Sequence, residues 1–422
     1  MVQLHSAATI AGASIVKSSP LSLAVESVLA GGTLPTIAHR MASQFELART
    51  TQEIVQHGAQ FAADLTKRGR RPNPVDSILR VLHLASTHRS KTRFDDPTSM
   101  ANLRDAITDA VALGRSVALA LPLGGSKVAN PMKTGNAFLP DVGEWVAWMR
   151  LAAMARAITN LTGVPARVLI VPDAPLHTAD LGMPATEAAA HLRQAGLDLE
   201  TLGIDDIVSI ADTAASLPRE WSGEVAMRAA AAAERARREP EFRADVAAQV
   251  QALLFATNLR LYPWPAERHL LVTRALVDAN HLPADVVADA NAVRAEVERK
   301  VFHYIGVNHA LRTLTIPERL VRATFGDDYT MLRLTVHAKP GEPQPLLVPS
   351  NKRARPGLLP MHGIGLRFTN ERGQTRFATA FALEAAMAAM VAVDEQSGRT
   401  LWVEPGRVAG LARPAYAAKA AG

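Results

Sequence analysis

The chain has 422 residues, 48% hydrophobic and 20% charged, which is enough apolar material for one large α/β domain or two ordinary ones and too much for a disordered chain. A formal charge of +6 and a pI near 9.8 favour anionic partners such as phosphates and carboxylates, although a generally Arg-rich composition gives the same balance. The absence of cysteine excludes disulfides, thiolate catalysis, zinc ribbons and iron–sulfur clusters, and aromatics at 5%, with no basic cluster among them, argue against a nucleic-acid partner.

Residues 1–35 are small, apolar and Ser/Gly-rich, and read as a loosely ordered lead-in or a short helix. No charged segment precedes their apolar part, so they make a poor signal peptide. No stretch reaches about 18 uncharged apolar residues, so no membrane span is expected. A cytoplasmic location fits the missing cysteines.

From Pro35 to Gly69 the apolar spacing is helical, and Pro72 and Pro74 break it. Asn73-Pro74-Val75-Asp76 opens another helix, and Met100 to Leu113 a third. Residues 117–123 then read as a buried strand that delivers a long polar loop, 121–144. Scaffold connections usually take about two to six residues, so a loop of that length marks a place for chemistry.

Trp145 to Leu161 reads as an amphipathic helix, and Ala166 to Val171 as a second continuous apolar strand ending at Pro172-Asp173. Thr186 to Gln194 is helical, and Asp206 to Ala211 suits a third strand. Continuous apolar runs alternating with helices predict a parallel sheet covered on both faces. An Asp at the C-terminal end of such a strand lies at the edge where ligands bind.

Residues 220–300 are Ala- and charge-rich and predict helices, interrupted at Pro240 and at Tyr262-Pro263-Trp264-Pro265. Their Arg run reads as a solvated face. After Pro317 the pattern turns to strands. Tyr329 to Lys339 alternates, placing Arg333 and His337 on one face, about 13 Å apart along the strand. Leu346-Leu347-Val348 is a candidate to pair with it. A hairpin across Asn370-Glu371-Arg372-Gly373 and a helix from Ala380 to Val393 follow, and the Ala-rich tail after Gly406 is expected to fray.

The predicted architecture is a Rossmann-like α/β fold, with a mostly parallel sheet, flanking helices, a helical insertion and a C-terminal β-rich segment. The expected divisions are an N-terminal helical region at 1–100, the first half of the core at 101–220, the helical middle at 221–317 and the rest of the core at 318–422.

Standard signatures fail. Met132 stands where a Walker loop needs its second glycine, Gly363-Ile364-Gly365 lacks the third glycine of a dinucleotide fingerprint, and Gly125-Ser126 lacks the surround of a nucleophile elbow. There is no HExxH, and no metal site or cofactor is indicated. Two polar groups remain. Ser126, Lys127, Asn130, Lys133, Asp141, Glu144 and Asp173 cluster at strand ends in the first half. Arg333, His337, Lys352, Arg353, Arg355 and His362 lie in the second. Asp141 and Glu144 also suit the N-terminus of the following helix. Cations converging from two lobes suit a substrate with a phosphate and a carboxylate, and a nearby histidine suits proton transfer.

In order and spacing these residues resemble a known family. Asn130-Pro131-Met132-Lys133, Pro140-Asp141-Val142-Gly143-Glu144 and the Val168-to-Asp173 strand are similar to the first half of isocyanide (isonitrile) synthases, the pyoverdine/dityrosine biosynthesis protein family. Leu332-Arg333-Leu334-Thr335-Val336-His337 resembles that family's Arg-Leu-Ser-Ile-His strand, and Pro360-Met361-His362-Gly363 its Pro-Trp-His-Gly turn. The family's Phe-Pro-x-Lys-Ser-x-Asn run reads here Leu-Gly-Gly-Ser126-Lys127-Val-Ala-Asn130.

The resemblance implies an enzyme of specialised metabolism that joins an α-amino acid amine to ribulose 5-phosphate without metal or redox cofactor. Imine formation, proton removal, phosphate loss and carbon–carbon cleavage leave one sugar carbon on nitrogen. It implies that Lys127, Lys133 and Arg333 hold phosphate and carboxylate, that His337 or Glu144 moves protons, and that Asp141 and Asp173 orient hydroxyls or the ammonium. Lys127 and His362 join the catalytic set, and Ser126, Asn130, Lys352 and Arg353 the binding set. A partner enzyme would act on the product. A relative making an N-formyl or other N-modified amino acid, or a non-catalytic phosphosugar-binding protein of the same fold, remains open.

Overall fold

The computed structural model describes residues 52–124 and 140–347, apart from positions 53–54, 61–62, 65, 70–72, 88, 141, 258 and 260–261, together with the strand backbones at 2–6, 364–369, 375–380, 390–394 and 400–403. In chain order, β1 (Val2–Ser6) is followed by α1 (Pro74–Ala85), α2 (Pro97–Ala112), β2 (Ser116–Pro122), α3 (Val142–Thr162), β3 (Ala166–Val171), α4 (Ala185–Leu202) and β4 (Val208–Ile210). Then come α5 (Trp221–Arg238), α6 (Pro240–Ala256), α7 (Ala266–Val277), α8 (Ala284–Thr313), α9 (Ile316–Phe325) and β5 (Tyr329–Arg333). Strands β6 (Ile364–Thr369), β7 (Thr375–Ala380), β8 (Met390–Asp394) and β9 (Thr400–Val403) follow, and two short turns, Ala174–His177 and Thr178–Leu181, lie between β3 and α4.

Local chemistry sets the helix starts. Asn73 accepts the Asp76 N–H at 2.7 Å, with Pro74 at the first helical position of α1. Asp96 caps α2 by accepting from the Thr98 and Ser99 N–H groups, and Pro97 follows it.

The first sheet is four-stranded in the order β4-β3-β2-β5, with every pairing parallel. This α/β arrangement, a parallel sheet with helices on both faces, is the expected fold class. On one face Val117, Leu119 and Leu121 of β2 pack with Ile78, Leu82, Ile107 and Trp148 of α1, α2 and α3. On the other, the small Ala118 and Ala120 meet Val307 and Ala310 of α8 and Ile316 and Leu320 of α9. Alanines on this face leave room for the apolar side chains of α8 and α9.

The second sheet has five strands in the order β1-β8-β9-β6-β7. Its β6–β7 hairpin, registered from Ile364↔Ala380 to Thr369↔Thr375, is the expected one. Two expectations are corrected. The lead-in contributes a strand, β1, antiparallel to β8. Residues 390–393, placed in a helix by sequence, lie in β8, because pairing with β1 and β9 outweighs the helical preference of the alanines, and Ala380, the expected start of that helix, ends β7. The rest of that expected helix, most of the lead-in and the tail after Gly406 lie outside the described residues.

Helix α3 is not amphipathic. Trp145 to Met149, Leu151 to Ala155, Ala157 and Ile158 are all buried. It lies between the sheets, against β3 on one side and β6 and β7 on the other. A helix covered all round has no polar stripe. The helices α5 to α8 add a separate apolar cluster that includes Val250, Leu254, Val272, Val293 and Val297.

Gly306 permits the contact between α5 and α8. A Cβ there would stand 2.6 Å from the Val225 carbonyl oxygen and 3.0 Å from Ala229 Cβ. Gly306→Ala should therefore destabilise the protein by about 1–3 kcal/mol through overpacking, despite a helix-propensity gain of about 1 kcal/mol. Urea unfolding measures it, and a stabilised variant would show that the two helices can separate freely.

Candidate active site

Because all four strands of the first sheet run the same way, their C-terminal ends share one edge, and the loops that leave it build the candidate site. From β3 comes Asp173. It precedes a short 3₁₀ turn (Ala174–His177), and its carbonyl accepts the Leu176 N–H at 2.9 Å. From β2 comes Gly124, whose carbonyl accepts the Ala174 N–H at 2.8 Å, so the exits of β2 and β3 are tied together. From β5 comes Arg333, its guanidinium 3.0 Å from Glu318 of α9.

His337 is not on the strand face that Arg333 occupies. Strand β5 ends at Arg333, and the alternation beyond it is misleading. The Thr335 hydroxyl donates to the His337 carbonyl at 2.7 Å, a local bond that competes with the ladder. The chain then turns back at Gly341, whose φ is +73°, and Thr335 N–H donates to the Pro343 carbonyl at 3.0 Å. Leu346, expected to pair with β5, instead donates its N–H to the Ala85 carbonyl of α1 at 2.8 Å and accepts from Arg150 Nε at 2.8 Å. The turn is thereby anchored on two helices, and it carries His337 and Lys339 over the sheet edge.

Lys339 joins what the strands deliver. Burial, first, and then the charge of Arg312 push its ammonium below the ordinary lysine value. Arg333 acts in the same direction, while Glu342 and Asp173 act against it. Among the described residues Lys339 has no ion-pair partner. Arg312 lies 3.7 Å from Glu342. His337 stands at the rim, open to solvent on one side. Desolvation by the surrounding chain and the nearby Lys339 charge hold its imidazole below 6.5, a neutral base at physiological pH.

Asp173 is half-buried. Desolvation raises its carboxyl above the ordinary value, and the charges of His177 and Lys339 oppose that rise only in part. Tyr304 of α8 is pushed up to about 12, by burial first and then by the Asp173 charge. His309 is lowered by burial first and then by Arg312, Arg228, Arg235 and Lys339. The edge thus gathers Asp173, Tyr304, Arg312, Arg333, His337 and Lys339. Three cations beside one desolvated carboxyl repel one another less when an anion lies among them.

Of the residues expected from sequence, Asp173, Arg333 and His337 meet around Lys339. Glu144 is buried in the first turn of α3, at the same edge but on the helix that covers the opposite sheet face, where the helix dipole favours a carboxylate. Ser126, Lys127, Asn130, Lys133, Asp141, Lys352, Arg353, Arg355 and His362 lie outside the described residues. Sequence reasoning missed Lys339, Tyr304 and Arg312. The last two fall eight apart on α8 with Asn308 midway, a polar line on one face of a helix whose sequence pattern was given no role in the site. Among the described residues no group of three or more His, Asp or Glu is arranged to hold a metal ion, and no helix is long and apolar enough to cross a membrane.

No protein-family model matches the sequence, and no curated protein matches it. In three dimensions the chain is similar to the PvcA protein of Pseudomonas aeruginosa. The likeness covers 79% of this chain and 100% of that one, at 15% identity and a TM-score of 0.52. The two share a fold.

The raised Asp173 carboxyl gives a test with a defined sign. The folded state holds that proton more tightly than the unfolded chain does, so stability falls as pH rises from the ordinary 3.8 through the raised value. Asp173→Asn should raise the thermal midpoint at pH 7 and leave it unchanged below the ordinary carboxyl value. A midpoint lowered at pH 7 would mean that the carboxylate is stabilised by partners rather than strained by burial.

Proposed function

We propose that the chain is an isocyanide-synthase-type enzyme, which condenses an α-amino acid amine with ribulose 5-phosphate and leaves one sugar carbon on nitrogen. The observation that carries this reading is the cation group Arg312, Arg333 and Lys339 set beside Asp173 at the C-terminal edge of the parallel sheet. Such a site matches a substrate pair that brings a phosphate, a carboxylate and an amine together. Arginines suit planar bidentate anions, and a lysine supplies a point charge. A neutral His337 at the rim suits the proton removals that follow imine formation. Two further observations support the reading: the ordered resemblance of the Val117–Asp173 and Tyr329–Arg367 segments, and the fold in common with PvcA, that of a distant isocyanide synthase.

In this reading Arg333 and Lys339 hold the phosphate or the carboxylate, with Arg312 behind them. Asp173 receives the amine or a sugar hydroxyl. Ser126, Lys127, Asn130, Lys133, Asp141, Lys352, Arg353 and His362 keep the roles that the resemblance implies, and Glu144 stands in reserve as a proton carrier.

The decisive experiment incubates the protein with ribulose 5-phosphate and a panel of amino acids and follows phosphate release and isonitrile formation. Release that requires both substrates is expected. If no amino acid gives phosphate or isonitrile, the reading fails; stabilisation by ribulose 5-phosphate without turnover would make the chain a phosphosugar-binding protein. Arg333→Ala and Lys339→Ala should each weaken ribulose 5-phosphate binding about ten- to a hundred-fold, the loss of one charge-assisted bond of about 1.5–3 kcal/mol. Isothermal titration calorimetry measures it, and wild-type affinity in both variants would remove the anion site.

A further inference from the structure

Next to Asp173 lies a group that the proposed function has not used. The 3₁₀ turn ends at His177, and a single helical turn, Thr178–Leu181, carries Asp180. Both side chains are buried, with 2% and 3% of their surface exposed. His177 Nδ1 lies 3.1 Å from Asp180 Oδ2. From α8, the half-exposed His303 reaches the same carboxylate, its Nδ1 lying 2.8 Å from Oδ1 and 2.9 Å from Oδ2. The following residue, Tyr304, lays its ring on that of His177, with centroids 4.3 Å apart.

This arrangement decides where the protons are. A carboxylate only accepts, so each histidine presents its Nδ1–H to Asp180. With its ring neutral, His177 then carries its lone pair on Nε2. That atom is fully buried and has no hydrogen-bond partner among the described residues. Leaving such an atom unmet costs about 1–3 kcal/mol, a cost that a bound ligand offering a proton would remove. The 3₁₀ turn sets His177 four residues after Asp173, and in its protonated form its charge acts on that carboxyl, which places it beside the candidate site. Asp173, Asp180, Tyr304 and, through Asp180, His303 are the titratable groups around it.

We propose that His177 is a proton-transfer residue of this site, acting through Nε2, and that Asp180 is its positioning residue, held in turn by His303. The proposal rests on the amino acid and phosphosugar reading for the identity of the substrate. In that reading the imine between amine and sugar loses a proton from the carbon beside it. His177 Nε2 takes the proton, and the electron pair left behind forms the new carbon–carbon double bond as the imine nitrogen takes up electron density. The imidazolium so formed is stabilised by Asp180, and it returns its proton to a later leaving group or to water.

His177→Asn separates this role from a structural one, because its amide can still donate to Asp180 from the Nδ1 position while Nε2 is lost. Phosphate release should fall about a hundred-fold or more, the usual contribution of a general base. Affinity for ribulose 5-phosphate and the thermal midpoint should stay near wild type. A variant with wild-type turnover overturns the proposal. If the wild-type protein itself releases no phosphate, the functional reading fails separately, and nitrogen NMR of the labelled protein decides this one. His177 should show the Nδ1–H tautomer, switch to Nε2–H in Asp180→Asn, and shift at Nε2 when ribulose 5-phosphate or an α-amino acid is added. An Nε2–H tautomer in the wild-type protein, or a resonance indifferent to both ligands, overturns it.

Discussion

The structure depends on one strand that has no exposed side. Strand β2 is hydrogen-bonded to β3 on one edge and β5 on the other, and Val117 to Leu121 are all buried. A strand so enclosed must be apolar throughout, and it satisfies its backbone only through its neighbours. That requirement brings β3 and β5 to it although more than 150 residues separate those two strands in the chain. It also aligns their C-terminal ends. Asp173 and Arg333 then face one region of space because the sheet is parallel. The alternation of Leu with Ala along β2 adds the second condition, since the alanine face shares an apolar cluster with α9 and with α8, the helix that carries Tyr304 and Arg312.

The electrostatics of that edge oppose stability. Asp173 is desolvated, and Lys339 is both desolvated and set near Arg312 and Arg333. None of these placements helps the empty protein fold. The cost is met by the two apolar faces of the sheet, which supply far more burial than the edge removes. Groups held against their own preference above strand ends are what a binding site for charged substrates requires.

Much of the fold was legible because its strongest signals are local. Two continuous apolar strands, Asn73-Pro74 at a helix start and the Asn370-to-Gly373 turn carry their meaning within a few residues. Three features were not legible, two of them because the deciding partner lies far away in sequence. The all-round burial of α3 depends on β6 and β7, which follow it by about two hundred residues. The strand at 390–394 depends on pairing with Val2–Ser6. The end of β5 at Arg333 depends on a Thr335 hydroxyl that prefers a local carbonyl to the ladder. The site divides the same way. Asp173 and Arg333 stood out as polar residues closing apolar strands, whereas Lys339, Arg312 and Tyr304 come from a turn and a helix whose approach to the edge no pattern announces.

The dyad shows how a weak signal becomes an argument once geometry is added. In the sequence His177 and Asp180 are three apart in a short segment after a strand, a spacing with many bland explanations. In the structure the same spacing closes a hydrogen bond in a single helical turn, and a helix more than a hundred residues away supplies a second histidine to the carboxylate and a tyrosine to the His177 ring. A merely structural histidine would use both ring nitrogens or leave one to solvent. Here one nitrogen is tied to a carboxylate and the other is enclosed with no partner among the described residues. The economical account of that asymmetry is a missing proton donor, and the nearby cation group indicates a charged ligand to bring it.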